Sequence, residues 1–270
     1  MFGNEGIRQG IGRGEFFFGC FSNMACAVPV HIAAHTGYDF VVLDHEHSPA
    51  DFHDALACMN AAQGSQAEIW VRVPMNDQAY IKRILDCGAS GIMCPMISTA
   101  EDARRLVSYC TYPPQGVRGT APNLGRHTDY GIRRDEYMAR IVPGITIMAQ
   151  LETREALLNI DEIVKVDGLT LFFIGPYDLS ADLGHAGQFD HPTVVGAIEQ
   201  LENTVKRAGK PLATIVLPGQ DPAALRARGY CLLITGSDVA MLRAAFTEQH
   251  KKFSSVKQMP ALSTQGARTA

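Results

Sequence analysis

The sequence lacks several features that would assign it to common classes of protein. No stretch approaches the ~18 uninterrupted apolar residues of a membrane span, and the first residues contain no apolar segment of signal-peptide length. Lysine and arginine total 24 against 28 aspartates and glutamates, a balance that excludes a large cationic surface for nucleic acid or acidic membrane. We therefore expect a cytoplasmic protein that acts on small molecules.

Closely spaced cysteines and catalytic lysines are also missing. The 7 cysteines are an odd number without a CxxC pair, which indicates reduced, mostly buried thiols rather than a disulfide scaffold. All lysines fall within predicted helices, in segments that lead into strands, or near the C-terminus. Because an imine-forming enzyme needs a lysine in its active site, this placement disfavours Schiff-base chemistry.

Eight short apolar runs recur along the chain, and helical patterns separate most of them. The runs are Phe16–Phe21, Phe40–Leu43, Ile69–Val73, Gly91–Pro95, Ile145–Leu151, Leu169–Ile174, Pro211–Val216 and Cys231–Thr235. Alternating strands and helices predict right-handed crossovers and a parallel sheet. Eight such units favour an α/β fold of the (β/α)8 TIM barrel type, in a single domain, over a doubly wound open sheet. We place the barrel at residues 1–253 and a flexible tail at residues 254–270.

Two stretches interrupt this pattern. Residues 112–130 contain three prolines and three glycines and predict a long loop after the fourth strand, of a length that is often functional. Residues 10–14 (GIGRG) precede the first strand and lack the spacing of a dinucleotide-binding loop, so we interpret them as an N-terminal linker.

Polar side chains follow four of the eight predicted strands. Reacting groups of a (β/α)8 barrel collect beyond the carboxyl ends of its strands. These positions hold Asp44, His45, Glu46 and His47 after the second strand, Arg72 after the third, Gln150 and Glu152 after the fifth, and Gly175–Asp178 after the sixth. A single carboxylate there often only caps the next helix, as Asp178 could. Four such strand ends together point to one site.

The residue types at these strand ends suit metal-assisted enolisation. Glu152 and Asp178 supply hard oxygen ligands, with Gln150 beside them, which suits Mg²⁺ or Mn²⁺. An alternative is zinc held by His45 and His47, which would share a face of an extended strand, although no third histidine is evident.

Two further side chains are candidates for binding the substrate and moving its proton. Arg72 suits a carboxylate or a developing enolate, unless it is only a salt-bridged surface arginine. His47 is a candidate general base. Asp86 either orients that imidazole or is simply a polar residue at a helix end.

Six motifs, in matching order over roughly residues 16–250, resemble those of the metal-dependent (class II) 2-keto-3-deoxy acid aldolases. The particular resemblance is to the 4-hydroxy-2-oxoheptanedioate (2,4-dihydroxyhept-2-ene-1,7-dioate) aldolase family, within the pyruvate/phosphoenolpyruvate barrel superfamily. The motifs are DFVVLDHEHSPAD, VRVPMND, LDCGASGIMCPMISTAEDARRLV, YPPQGVRG, QLETREALLNIDEI and FFIGPYDLSADLG.

The resemblance implies a lyase that cleaves a 4-hydroxy-2-oxo acid to pyruvate and an aldehyde, in the catabolism of sugar acids or aromatic compounds. It implies Mg²⁺, Mn²⁺ or Co²⁺ on Glu152 and Asp178, with Gln150 beside the metal. It also implies a homohexamer whose last helix is exchanged between subunits.

The same resemblance implies roles for the remaining residues. Arg72 would contact the keto oxygen, His47 and Asp86 would form an acid/base dyad, and Asp44 and Glu46 would bind metal-linked water. The main chain at Gly175 and Pro176, next to Tyr177, would hold the pyruvate carboxylate.

The sequence also departs from the family pattern. His45 replaces a small residue, the first strand lacks a tryptophan that many members have, and the stretch GTAPNLGRHTDYG differs from the usual loop, which leaves the aldehyde open. Three alternatives remain: a CoA-ester lyase of the citryl-CoA type, a phosphonomutase-like enzyme, and a catalytically silent binding barrel. The CoA-ester lyase would use the cations Arg118, Arg126, Arg133 and Arg134.

Overall fold

Eight parallel strands, hydrogen-bonded in sequential order, close into a barrel in the computed structural model, which describes residues 6–257 apart from the side chain at position 140. The predicted (β/α)8 TIM barrel is confirmed. The strands are Phe17–Ser22 (β1), Phe40–Asp44 (β2), Glu68–Arg72 (β3), Gly91–Cys94 (β4), Thr146–Leu151 (β5), Leu171–Ile174 (β6), Leu212–Ile215 (β7) and Tyr230–Ser237 (β8).

The helices surround the barrel and run antiparallel to the strands they connect. They are Ile7–Gly12 (α1), Ala27–His35 (α2), Phe52–Ala61 (α3), Gln78–Cys87 (α4), Ala100–Cys110 (α5), Arg134–Glu136 (α6), Arg154–Ile163 (α7), Pro176–Asp182 (α8), Pro192–Arg207 (α9), Pro222–Ala227 (α10) and Asp238–Lys257 (α11). Side-chain caps set several helix starts. Asp51 and Thr99, for example, each begin a capping box that satisfies main-chain N–H groups at the helix start.

The inside of the barrel is filled by the alternate residues of its strands. Phe40 and Trp70 stack there with their ring centroids 4.4 Å apart. The prediction of a linker at residues 10–14 is wrong, because residues 10–12 belong to α1. Ile7 and Ile11 lie one helical turn apart on this helix and are buried against the barrel interior. The glycines of this segment, which are unfavourable in helices, led to the prediction of a linker. With its buried isoleucines, α1 closes the amino end of the barrel.

The long loop connects α5 to β5 rather than following β4 directly, so it begins and ends at the amino end of the barrel. The expectation of an irregular segment is confirmed, with only short helical turns such as Arg126–Thr128 within it. Part of the loop lies along α4, whose first residue, Gln78, donates from its side-chain amide to the carbonyl of Val117 at 3.1 Å.

The last described helix, α11, has no buried residue. Val239, Met241, Leu242, Phe246 and Phe253 on this helix are all exposed apolar side chains. The tail predicted from Ser254 begins within α11, which continues to Lys257, and residues 258–270 lie outside the described residues. Within residues 6–257, no helix combines the length and apolarity needed to cross a bilayer.

Candidate active site

An aspartate–arginine pair occupies the mouth of the barrel, the end formed by the carboxyl ends of the strands. Asp44 and Arg72 end β2 and β3, are register partners, and continue the inward-facing rows that contain Val42 and Trp70. Arg72 donates from Nε to Asp44 Oδ1 and from Nη2 to Oδ2, both at 2.8 Å. Burial would raise the pKa of Asp44, but the hydrogen bonds and charge of Arg72 outweigh it and lower that pKa. Arg72 is therefore a buried, oriented guanidinium rather than a surface one.

Glu46 and His47 follow on the loop that leaves β2. Glu46 Oε2 lies 3.2 Å from Arg72 Nη1 and 3.7 Å from His47 Nε2. Asp44 Oδ1 also accepts the main-chain N–H groups of Glu46 at 3.1 Å and His47 at 3.4 Å. The side chain of His47 is 59% exposed, so its imidazole is accessible at the edge of the mouth.

His45 does not point to the same place as His47, because β2 ends at Asp44 and the strand alternation ends with it. His45 is buried, and its Nδ1 lies 2.7 Å from the hydroxyl of Tyr80 on α4. Burial lowers the pKa of its imidazole. These separate surroundings give no support to the alternative of zinc chelated by His45 and His47.

Glu152 directly follows β5 and is buried in the mouth. Its Oε1 accepts the main-chain N–H of Met96 at 2.8 Å, and its Oε2 accepts the side-chain amide of Gln150. Gly175 permits this arrangement, because a Cβ there would lie only 2.5 Å from Glu152 Oε2. The Oε1 of Gln150 is buried, with no hydrogen-bond partner among the described residues, and is free to bind a ligand.

Asp178 lies in the first turn of α8, directly after β6, and Tyr177 before it is half exposed. The expectation that the main chain of Gly175 and Pro176 holds a carboxylate needs correction. The N–H of Gly175 donates to the carbonyl of Leu151 at 3.1 Å, and Pro176 has no N–H. The N–H groups without a partner within this helix are those of the first turn, at Tyr177 and Asp178.

Carboxylates outnumber cations around Arg72. The side chains concerned are those of Asp44, Glu46, Glu152 and Asp178. Burial, followed by the negative charges of Asp178 and Glu46, raises the pKa of Glu152 to about 7. A divalent cation would offset this excess of negative charge and favour the ionised form of Glu152.

The donor set fits a hard divalent cation. No three His, Cys, Asp or Glu side chains of residues 6–257 converge as a ready-made metal cluster. Glu152 and Asp178 offer two carboxylates, and Gln150 Oε1 is an unpartnered amide oxygen beside them. Mg²⁺ and Mn²⁺ are commonly held by one or two carboxylates, with water and substrate oxygens completing the shell.

Asp86 lies at the opposite end of the barrel, because α4 runs back toward the amino ends of the strands. Its Oδ1 accepts Arg118 Nη2 at 2.8 Å, and its carbonyl oxygen lies 3.0 Å from His127 Nδ1. Arg118 is fully buried and also donates to the hydroxyl of Tyr137 at 3.0 Å. Within one chain, therefore, Asp86 pairs with Arg118 and not with His47.

Two of the four arginines considered for CoA phosphates lie beside Asp86 and are engaged by protein partners. Arg118 is buried and paired with Asp86, and Arg126 donates to the side chain of Asn60 and to the carbonyl of Cys87. These contacts give the CoA-ester lyase alternative no support from Arg118 and Arg126.

Three residues near the mouth escaped the sequence analysis. Asn23 follows β1 and its side-chain amide donates to Asp44, so the strand-end rule that found the others would have found it. Asp238 at the start of α11 holds the loop that carries Asn23. The main-chain N–H of Met96 binds Glu152, and no side-chain pattern signals such a contact.

Comparisons with known proteins identify the family of this chain. The family model for HpcH/HpaI aldolase/citrate lyase matches residues 18–245. A hydroxypyruvate/pyruvate aldolase of Roseovarius nubinhibens is 34% identical, over 87% of this chain and 91% of its own. A 5-keto-4-deoxy-D-glucarate aldolase of Shigella dysenteriae is also 34% identical, over 84% of this chain and 88% of its own.

A solved structure matches the fold over nearly its whole length. The HpcH/HpaI aldolase/citrate lyase family protein of Burkholderia cenocepacia superimposes with a TM-score of 0.85 at 30% identity, covering 92% of this chain and 98% of that one. The chain belongs to the HpcH/HpaI aldolase/citrate lyase family.

Proposed function

We propose that this protein is a divalent-metal-dependent aldolase that reversibly cleaves a 4-hydroxy-2-oxo acid to pyruvate and an aldehyde. The observation that carries the proposal is the mouth itself, where the buried carboxylate of Glu152 feels the charge of Asp178 and acts on the guanidinium of Arg72. Asp44 orients that guanidinium. The similarity to aldolases named for hydroxypyruvate, pyruvate and a keto-deoxy sugar acid supports the same substrate class.

Glu152 and Asp178 would hold the cation, with Gln150 beside it. When bound, a divalent ion there polarises the carboxylate and keto oxygens of the substrate. Arg72 stabilises negative charge on the C2 oxygen as the enolate forms, an effect of about 3–4 kcal/mol for a well-placed donor. The N–H groups of the first turn of α8 would bind the substrate carboxylate.

His47 acts as the base. It removes the proton of the C4 hydroxyl, the C4 carbonyl of the aldehyde forms, and the C3–C4 bond breaks. The electron pair of that bond becomes the enolate of pyruvate, which takes a proton at C3. The exposure of His47 at the edge of the mouth keeps the base in reach of a substrate that enters from solvent.

We further propose that the protein is a homohexamer in which α11 packs on a neighbouring subunit. The exposed apolar side chains of α11, including Phe246 and Phe253, have no cover within one described chain. Because Asp86 lies at the amino end of the barrel, it can form the dyad with His47 only if it comes from another subunit. Sedimentation analysis should show a hexamer, and Phe246→Glu should shift it to smaller species; a monomeric wild type refutes this assembly.

Cleavage of a 4-hydroxy-2-oxo acid, followed through the pyruvate released, tests the activity. We expect turnover that is lost in EDTA and restored by Mg²⁺, Mn²⁺ or Co²⁺. Arg72→Ala should lower turnover about 100- to 1000-fold. The surface arginine Arg104, paired with Glu101 on α5, provides the matched control Arg104→Ala, which should retain full activity.

Two results would contradict the proposal. Undiminished cleavage in EDTA excludes the metal, and full activity of Arg72→Ala excludes its role.

Two further measurements test the alternative functions. Exchange of the pyruvate methyl protons with deuterium only when metal is added excludes a silent barrel. Turnover of CoA thioesters in place of hydroxy-oxo acids would instead support the CoA-ester lyase.

A further inference from the structure

A continuous set of hydrogen bonds connects the start of α11 to the guanidinium of Arg72. It begins at the carboxylate of Asp238, the first residue of α11. That carboxylate accepts the hydroxyl of Ser22 at 2.9 Å and the main-chain N–H groups of Asn23 at 2.8 Å and Met24 at 3.3 Å. Asp238 therefore fixes the loop that leaves β1.

The second step is made by the side chain of Asn23. Its amide donates to Asp44 Oδ2, the same oxygen that accepts Nη2 of Arg72. Asp44 is fully buried, and its other oxygen accepts Nε of Arg72 together with the two main-chain N–H groups of the following loop. The orientation of this carboxylate is therefore set by Arg72 and the two main-chain N–H groups, with Asn23 as the further donor to Oδ2.

We infer that Asn23 is a positioning residue that orients Arg72 through Asp44, and that Asp238 holds Asn23 in place. The inference rests on the proposed function, because Arg72 is the group that the relay would serve. A buried carboxylate that loses one of its donors can rotate or draw in water, and a two-point pair with a guanidinium depends on the plane of that carboxylate. Through these hydrogen bonds, a change in the position of α11 would alter the orientation of Asp44 at the mouth of the barrel.

A double-mutant cycle with Arg72 separates positioning from a general structural effect. Asn23→Ala should lower kcat/KM about tenfold, the size expected for one hydrogen bond to a charged group. In an Arg72→Ala background the same change should alter kcat/KM by less than about twofold, because the group it positions is gone. Asn203→Ala, at an exposed asparagine of α9, is the matched control and should stay within about twofold of wild type.

The first step of the relay has its own cycle. Asp238→Ala should lower kcat/KM several-fold in the wild type but add little to Asn23→Ala, since both act along one path. Equal losses from Asn23→Ala in the wild-type and Arg72→Ala backgrounds would overturn the inference, as would no loss in either. If circular dichroism shows that Asn23→Ala does not fold, Asn23→Ser replaces it, because serine is too short to reach Asp44.

A crystal structure of the Asn23 variant provides a reading that does not depend on activity. We expect the Asp44 carboxylate to rotate and at least one of the 2.8 Å contacts to Arg72 to be lost. An unchanged pair overturns the relay even in an active enzyme. A wild-type protein without metal-dependent cleavage would instead refute the proposed function, and the crystallographic comparison would still decide the relay.

Discussion

Replacing Gly175 by alanine is the smallest change that should disable the mouth of the barrel. The new Cβ would lie 2.5 Å from Glu152 Oε2 and 3.0 Å from the Cβ of Glu152. Because Cβ contacts shorter than 3.0 Å are essentially never found, the carboxylate must retreat by about 0.5 Å or more. That movement strains its hydrogen bonds to the main chain of Met96 and to Gln150.

The expected effect on function is larger than the effect on stability. Overpacking of this kind typically costs about 1–3 kcal/mol. Displacing a reacting or ligating group by about 1 Å can cost about a hundredfold in rate. We therefore expect Gly175→Ala to be folded, to melt several degrees lower, and to lose at least about tenfold in metal-dependent cleavage with weaker binding of Mn²⁺ by calorimetry.

Gly196 provides a control that is chemically identical. It is exposed in the interior of α9, and a Cβ there would meet nothing within 4 Å. Gly196→Ala should raise the free energy of unfolding by about 0.5–1 kcal/mol, because alanine is the better helix former, and leave cleavage unchanged. Wild-type activity and Mn²⁺ affinity in Gly175→Ala would refute the argument that the closeness of β6 to Glu152 matters.

Three further predictions concern other contacts. Met96 has a left-handed backbone with φ +57°, so Met96→Gly should raise the free energy of unfolding by about 1 kcal/mol at unchanged activity, whereas Met96→Val should lower both. Arg118→Ala leaves the carboxylate of Asp86 unpaired and should cost about 3–5 kcal/mol in urea unfolding, and a cost near zero would contradict the buried pair. Because the folded-state pKa of Glu152 is raised from 4.5 to about 7, this group should make EDTA-treated protein lose stability as the pH rises from about 4.5 to about 7, with no further loss above that range. Glu152→Gln removes this contribution, so the unfolding free energy of the wild type should fall relative to that of the variant over the same range, and a relative rise would contradict it.

The fold and the inner part of the site could be predicted from the sequence for physical reasons. Strands buried on both faces read as apolar runs, and the period of two that places Val42 inside the barrel also places Asp44 there. The rule that barrel chemistry lies at the carboxyl ends of strands then selects Arg72 and Glu152 without any knowledge of loops. Regular strands therefore allow residues far apart in the sequence to be assigned to one end of the barrel.

What escaped prediction depends on contacts that no periodicity records. Asp86 is at the end of α4, and in a (β/α)8 barrel a helix that follows a strand ends away from the mouth, so the predicted fold already separates Asp86 from His47 within one chain. The contact with Arg118, which lies far along the chain, is what no periodicity records. His45 is the first residue after β2, so the strand alternation no longer fixes its direction, and its imidazole contacts Tyr80. The glycines at residues 10–14 masked α1, whose two buried isoleucines were the better signal.

Met96, the left-handed residue after β4, binds Glu152 through its main chain, so its side chain is not needed for that contact. The contact is made through the main-chain N–H of Met96, and the residue is 56% exposed. Any unbranched side chain that tolerates this backbone would leave the carboxylate equally well held. A substitution here can therefore change the size and polarity of the entrance while the carboxylate beneath it stays held through the main chain.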